Sequence, residues 1–193
     1  MAGNGKLFVI SAPSGTGKTT LVKKILKKFK HLSYSVSYTT RSPRINEEEG
    51  LDYFFISSAK FQEKIQQEHW LEWAKVHDNF YGTSKKFVKD NLEKNHSLIL
   101  DIDVQGAKQV MESNLDPVTI FISPPSFEEL SQRLENRGTD TKEVIARRLD
   151  NAKNEMKNKG LYQYSIINDD LDDAAKELSL IFKKEMAKEN NER

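Results

Sequence analysis

Cysteine is absent from all 193 residues, which excludes a disulfide framework, a thiolate metal site and a cysteine nucleophile and suits a reducing compartment. An excess of one charge is missing too. With 30 basic and 29 acidic side chains the formal net charge is +1, so no global field draws the chain to nucleic acid or to an anionic membrane. Nor is there a long hydrophobic run: the opening stretch Leu7-Phe8-Val9-Ile10 is far shorter than a signal-peptide core or a membrane span. A cytoplasmic protein is the expectation. Repeats and low-complexity segments are lacking, and His31, His69, His77 and His96 have no ligand spacing, which predicts surface residues rather than a metal site. What remains is 37% hydrophobic and 31% charged, the composition of a soluble globular domain. The length allows one domain with a substantial core and small inserted lobes, but not two domains of ordinary size.

Against this plain background one segment stands out. Residues 12–19 read Ala12-Pro13-Ser14-Gly15-Thr16-Gly17-Lys18-Thr19, followed by Thr20, between the apolar run and an amphipathic stretch with Leu21, Val22, Ile25, Leu26 and Phe29. Strand, glycine-rich loop and helix in that order form a cradle for a nucleoside triphosphate. Gly15 and Gly17 let backbone N–H groups turn toward the phosphates, Lys18 reaches the terminal ones, and Thr19 offers a hydroxyl to magnesium. Ala12 stands where the strict pattern has glycine, which requires an ordinary negative φ there. The helix that follows carries Lys23, Lys24, Lys27, Lys28 and Lys30 opposite its apolar stripe; without interleaved aromatics these read as a solvated face, not a nucleic-acid surface.

Further along, Tyr34, Val36 and Tyr38 alternate with serines as a half-buried strand does. A polar turn at 47–50 precedes a strand over 53–56, a helix over 58–68 and extended pieces at 70–76 and 80–83, a small mixed lobe packed by Trp70 and Trp73. Alternation then resumes with a helix over 85–94, a strand over 98–103, a helix over 105–112 and a strand over 118–122. Ser126 and Glu129 have capping-box spacing ahead of a helix with Phe127, Leu130 and Leu134 inward. Arg137-Gly138-Thr139 breaks it, and a very polar helix over 141–158 looks poorly equipped for a core, as a flap would be. A strand over 164–167 and a helix over 170–188 close the chain. Strands separated by helices imply a parallel sheet covered on both faces, with ligands at the carboxyl ends of its strands.

Arg41 and Arg44 flank Pro43, which pushes Ser42 toward an extended conformation and fixes the path of both guanidiniums. With the Tyr53 and Tyr81 hydroxyls in the same lobe they can grip a second phosphate group. The other reading is an exposed basic turn pairing with Glu47 to Glu49.

Taken together, the stretches at 12–19, 36–44 (Val-Ser-Tyr-Thr-Thr-Arg-Ser-Pro-Arg), 71–74 (Leu-Glu-Trp-Ala), 81–83 (Tyr-Gly-Thr), 100–106 (Leu-Asp-Ile-Asp-Val-Gln-Gly), 133–139 (Arg-Leu-Glu-Asn-Arg-Gly-Thr) and 167–170 (Ile-Asn-Asp-Asp) resemble the guanylate kinase family in order and spacing, from Lys6 to Phe182. The resemblance implies a three-layer α/β P-loop kinase fold with a central parallel sheet. It also implies one domain, with a core at 1–36, 87–125 and 159–193, an inserted mixed α/β GMP-binding lobe at 37–86 and a helical lid at 126–158. The implied reaction moves the γ-phosphoryl of ATP to GMP, and to dGMP as a further acceptor, in purine nucleotide metabolism. Glu72 becomes the guanine reader: an ionised carboxylate accepts both the N1–H and 2-amino donors of guanine, and adenine offers no such pair. Ser37 and Thr83 are implied as further guanine contacts, Asp103 as another GMP-side residue, and Arg41, Arg44, Tyr53 and Tyr81 as the holders of the GMP phosphate.

On the donor side the loop residues Ala12 to Thr20 bind ATP, and Asn168, beside Asp169, falls near its adenine, mostly through backbone. Thr19 and Asp101, the latter at the end of an apolar strand and acting through water, are assigned to Mg2+. Arg133 and Arg137, four residues apart on one helical face, and Arg148 from the next helix bring charge to the β- and γ-phosphates, with Arg147 as the alternative to Arg148. Phosphoryl transfer needs positioning and charge neutralisation rather than a side-chain nucleophile, so Lys18, Arg41, Arg133, Arg137 and Arg148 carry the rate. ATP and GMP are the expected partners, with no nucleic acid, membrane or obligate protein partner. A GTPase would also use Asp103-Val104-Gln105-Gly106, but the Asn-Lys-x-Asp guanine reader is missing. A kinase for another monophosphate would have no use for Glu72. A non-catalytic guanylate-kinase-like module that binds partner peptides is the alternative of another class, and such modules usually lack an intact phosphate loop.

Overall fold

Strands and helices alternate as the sequence leads one to expect, in a computed structural model that describes residues 5–76, 78–136 and 141–191. In chain order the elements are β1 (Leu7–Ser11), α1 (Lys18–Lys28), β2 (Leu32–Tyr34), β3 (Tyr38–Thr39), β4 (Phe54–Phe55), α2 (Ser58–Gln66), β5 (Trp70–Val76) and β6 (Asn79–Ser84). There follow α3 (Lys85–Glu93), β7 (Ser97–Asp101), α4 (Val104–Met111), β8 (Val118–Ser123), α5 (Phe127–Asn136), α6 (Lys142–Met156), β9 (Tyr164–Ile167) and α7 (Leu171–Asn191). The central sheet has the strand order β2-β7-β1-β8-β9 and the smaller one the order β4-β3-β6-β5. In the central sheet β2–β7 and β8–β9 run parallel. Every residue of β1 and β8 is buried, as an unbroken apolar run must be in a sheet covered on both faces.

Polar residues placed just ahead of the helices start them. Ser57, Ser84, Asp103 and Thr141 each accept a hydrogen bond from an N–H of the first turn of α2, α3, α4 and α6. At α5 the capping box is half made. Ser126 Oγ accepts from the Glu129 N–H at 3.1 Å, but the Glu129 carboxylate turns to Arg133 at 2.9 Å.

The residues form two compact units. The first holds the described residues up to Phe8 with His31–Pro117. Its small sheet joins two-residue strands to longer ones, and aromatic stacking supplies what strand length does not: Phe61 lies 4.4 Å from Trp70 and 5.2 Å from Phe80, and Tyr38 lies 4.7 Å from Phe54. Trp70 is buried there as expected, while Trp73 is partly exposed over Phe80. The second unit holds Val9–Lys30 and the residues from Val118 onward. In it α1 packs on α7 through Phe29 and Phe182, with Lys24 Nζ 2.5 Å from Asp172.

Four expectations change. The single strand across 33–38 is two, β2 in the central sheet and β3 in the small one, and between them Ser35 and Ser37 are buried while Tyr34 and Val36 are only partly covered. Small hydroxyls fit where the chain passes from one sheet to another. The strand expected over 98–103 stops at Asp101, since Asp103 leaves the ladder to cap α4. The polar helix pair owns a core: Leu130, Leu134, Ile145 and Ala152 bury one another, with Phe127 and Leu149 against them. His69 is only partly exposed; it packs edge-on against Trp70 and Tyr38, and burial lowers its pKa. His77 lies outside the described residues.

Candidate active site

The phosphate loop is built by its two glycines. Gly15 has φ 91° and Gly17 φ 92°, a region that a side chain resists. At Gly17 space is closed as well, since a Cβ there would stand 2.6 Å from Asn168 Nδ2. Gly17 is also the N-cap of α1, and no side chain occupies that cap. No acidic side chain sits in the first turn to oppose an anion at this helix start. Lys18 opens the helix, Thr19 and Thr20 are exposed beside it, Ser14 is exposed, and Ala12, Pro13 and Thr16 are buried. The non-glycine residues with positive φ among the described residues are Glu68, Asp78, Asn95 and Asp116, so Ala12 meets its backbone requirement.

Asn168 sits under this loop. Its Nδ2 donates to the Thr16 carbonyl at 2.6 Å, its N–H donates to the Ser123 carbonyl at 2.8 Å, and its own carbonyl accepts from Arg133 Nη1 at 2.8 Å. Arg133 also donates to the Asp169 carbonyl at 3.2 Å and to Glu129 at 2.9 Å. The structure therefore holds Arg133 on the backbone of 168–169. Arg137 lies outside the described residues. In α6 Arg148 is partly buried and Arg147 exposed, so Arg148 is the more enclosed of the two.

In the other unit Glu72 projects from β5 toward its cross-strand partner Thr83, next to an irregularity in the ladder between Trp70 and Glu72. It is only 3% exposed, and its Oε1 accepts the Thr83 hydroxyl at 2.5 Å. Burial pushes its carboxyl up to about 7, the charge of Asp103 adds to the rise, and the Thr83 hydrogen bond opposes it. Ser37 and Thr83 are both buried. Asp103 caps α4, its Oδ1 accepting the Gly106 N–H at 2.8 Å and its Oδ2 the Gln105 amide at 3.1 Å. The Asp-x-x-Gly segment that a GTPase would use as a switch is here a helix start.

Arg41 lies over the Tyr53 ring at 5.5 Å, and Tyr53 meets Tyr81 edge-on at 5.9 Å. Burial, with Asp101 and Tyr81 nearby, pushes the Tyr53 phenol up to about 12, so it stays a donor. The reading of this segment as a basic turn paired with the acidic run holds at Glu47. Arg41 donates to Glu47 at 2.8 Å, and the Arg44 N–H donates to the other Glu47 oxygen at 2.8 Å, while the Arg44 side chain is largely exposed. The Arg41 hydrogen bond is the main cause that lowers the pKa of Glu47.

Of the two residues that the sequence assigns to a metal, Thr19 is exposed in the first turn of α1, and Asp101 is partly buried at the end of β7 in the other compact unit. Among the described residues no group of three or more His, Cys, Asp or Glu could hold an ion. A hydroxyl and a carboxylate are each the hard oxygen that suits Mg2+, which keeps several waters and takes one or two protein oxygens together with phosphate oxygens.

One residue escapes a reading of the sequence, and another is narrowed only by the structure. The Gln109 side chain accepts from the Trp73 N–H at 3.1 Å and donates to the Trp73 carbonyl at 2.7 Å, tying α4 to the edge strand β5. Its partner is 36 residues away, with no local signal to mark it. Glu47 stands in an acidic run, and only the fold singles it out as the partner of Arg41.

A strand, a glycine-rich loop and a helix with a glycine N-cap beside a parallel α/β sheet define a phosphate-loop nucleotide-binding protein. The guanylate kinase family model matches residues 4–185. A guanylate kinase of Dechloromonas aromatica is 48% identical over 181 residues, which cover 94% of this chain and 89% of that protein. One of Rickettsia felis is 44% identical over 184 residues, 95% of this chain and 96% of its own. Among solved structures, that of guanylate kinase from Anaplasma phagocytophilum matches with a TM-score of 0.77 at 35% identity, over 95% of this chain and 87% of that one. The chain belongs to the guanylate kinase family.

Proposed function

We propose that this chain moves the γ-phosphoryl group of ATP to GMP, giving ADP and GDP, with dGMP as a further acceptor. The observation that carries the reading is a buried carboxylate, Glu72, oriented by Thr83, in a chain that also holds an intact phosphate loop. Ionised Glu72 accepts from the N1–H and 2-amino groups of guanine, and the Thr83 hydroxyl fixes which oxygen faces inward. Ser37 and Asp103 complete the base side. The GMP phosphate takes Arg41 from Glu47, with Arg44, Tyr53 and Tyr81 as further donors. We assign residues 37–86 to the GMP lobe and 126–158 to the lid, with the core at 1–36, 87–125 and 159–193.

For the donor, the N–H groups of the loop from Ala12 to Thr20 and the Lys18 ammonium hold the phosphates of ATP. Thr19 and Asp101 would hold Mg2+, which supplies charge neutralisation to the β- and γ-phosphates. Arg148 adds lid charge, and Arg137 shares that role by its place in the sequence. Arg133 serves through the carbonyls of Asn168 and Asp169, which border the adenine. No side chain becomes covalently bonded. The chain's contribution is positioning and electrostatic stabilisation. A cytoplasmic location, in purine nucleotide metabolism, is part of the same reading; among the described residues no helix is long and apolar enough to cross a membrane.

A coupled assay of ADP release with GMP, dGMP, AMP, CMP and UMP in turn tests it. Magnesium-dependent turnover with GMP and dGMP, and little with the rest, is expected. Equal turnover of AMP and GMP would overturn the role of Glu72, and no turnover with any would favour a peptide-binding module.

A further inference from the structure

Gly106 lies in the first turn of α4, where nothing in its backbone calls for glycine, since its φ is not positive. In a helix interior glycine is less favourable than alanine by about 1 kcal/mol, so local stability argues against it. Space argues for it. A Cβ on Gly106 would stand 2.2 Å from Glu72 Oε2 and 2.9 Å from Glu72 Cδ. Gln109, three residues on, bridges both backbone groups of Trp73, the neighbour of Glu72. That bridge ties α4 to β5, so the helix cannot simply back away from the carboxylate. Asp103 fixes the start of the same turn through the Gly106 N–H.

We propose that Gly106 is a specificity-determining position: its bare backbone, fixed by Gln109 and Asp103, is the wall that seats the Glu72 carboxylate where it can read guanine. Gly106 touches no substrate in this role; it is a positioning residue, and it acts through Glu72. The Asp-Val-Gln-Gly segment is thereby explained as one device, a cap, a bare wall and, one turn on, a clamp. The inference rests on the reading of Glu72 as the guanine acceptor.

The test is a double-mutant cycle on the full chain, with steady-state ADP release read against GMP and against ATP. Gly106→Ala is expected to raise KM for GMP by about 10²-fold, the size of effect that a 1 Å misplacement produces, with KM for ATP within about twofold and a Tm equal to or above that of the parent. Glu72→Asp shortens the side chain by one methylene and withdraws the carboxylate from the wall. Adding Gly106→Ala to Glu72→Asp should then cost nothing further in KM for GMP, a non-additivity that a general packing defect would not give. If Gly106→Ala fails to fold alone, the Glu72→Asp background should restore folding. An unchanged KM for GMP in Gly106→Ala, or fully additive losses in the double variant, would overturn the inference while Glu72→Asp still impaired GMP. If Glu72→Asp itself left GMP kinetics unchanged, the guanine reading would fail first.

Discussion

Glu72 is a carboxylate whose charge depends on what covers it. Burial pushes the carboxyl up to about 7; as the proposed guanine acceptor it must be ionised to accept two donors. Binding GMP therefore releases a proton, and affinity for GMP should strengthen as pH rises from 6 to 8 and then level off. The GMP phosphate titrates near pH 6 as well, by analogy with phosphorylated side chains, so the comparison is with Glu72→Gln, which should lose the component centred near 7 and bind GMP about 10- to 100-fold more weakly, the worth of hydrogen bonds to a charged group. Calorimetry in two buffers of different ionisation enthalpy reads the proton directly. A parent and a Glu72→Gln variant with the same proton release would refute the account. The same raised pKa affects folding: between the ordinary value of 4.5 and about 7 the folded state holds a proton that the unfolded state has released. Stability from this group is thus greatest at low pH and declines as pH climbs through that window.

Between residues and whole chain lie the elements that carry the loop. The Asn168 amide bonds the Thr16 carbonyl from just beyond β9, and Arg133 of α5 bonds the Asn168 backbone carbonyl, so three segments meet at one residue. Asn168→Ala leaves the Thr16 carbonyl without this partner, which is expected to lower stability by about 1–3 kcal/mol and to raise KM for ATP while KM for GMP stays put. Unfolding by denaturant and the two KM values check both halves; an unchanged KM for ATP would remove Asn168 from the loop's support. Such contacts also show what a sequence exposes. The β1 and β8 runs, the polar helix caps and the glycine pair of the loop are local signals, and each element they announce is present. The passage of 35–37 between sheets, the packing of Ile145 and Ala152 of α6 against Leu130 and Leu134, and the bonds Asn168–Thr16 and Gln109–Trp73 depend on partners outside the element, and no periodicity encodes them.

At the scale of the molecule, the two compact units divide the proposed site residues between them. The described residues up to Phe8 and His31–Pro117 carry Ser37, Arg41, Arg44, Tyr53, Glu72, Tyr81, Thr83 and Asp103, and Val9–Lys30 with the residues from Val118 on carry the phosphate loop, Arg148 and Asn168. On the proposed reading each nucleotide has its own packed body, and binding should stabilise the body that binds it by mass action. Lys18→Ala separates the two. With its charge gone, the loop loses its main cation for the terminal phosphates, and turnover should fall by several orders of magnitude. The acceptor unit needs nothing from Lys18 to fold or to bind. Hydrogen exchange followed by mass spectrometry should therefore show GMP slowing segments 36–44 and 70–83 equally in the parent and in Lys18→Ala. Protection of 12–20 by a non-hydrolysable ATP analogue should be weakened in the variant alone. A folded Lys18→Ala protein that no longer gained protection from GMP would refute the division, because it would place the phosphate-loop lysine among the determinants of the acceptor site.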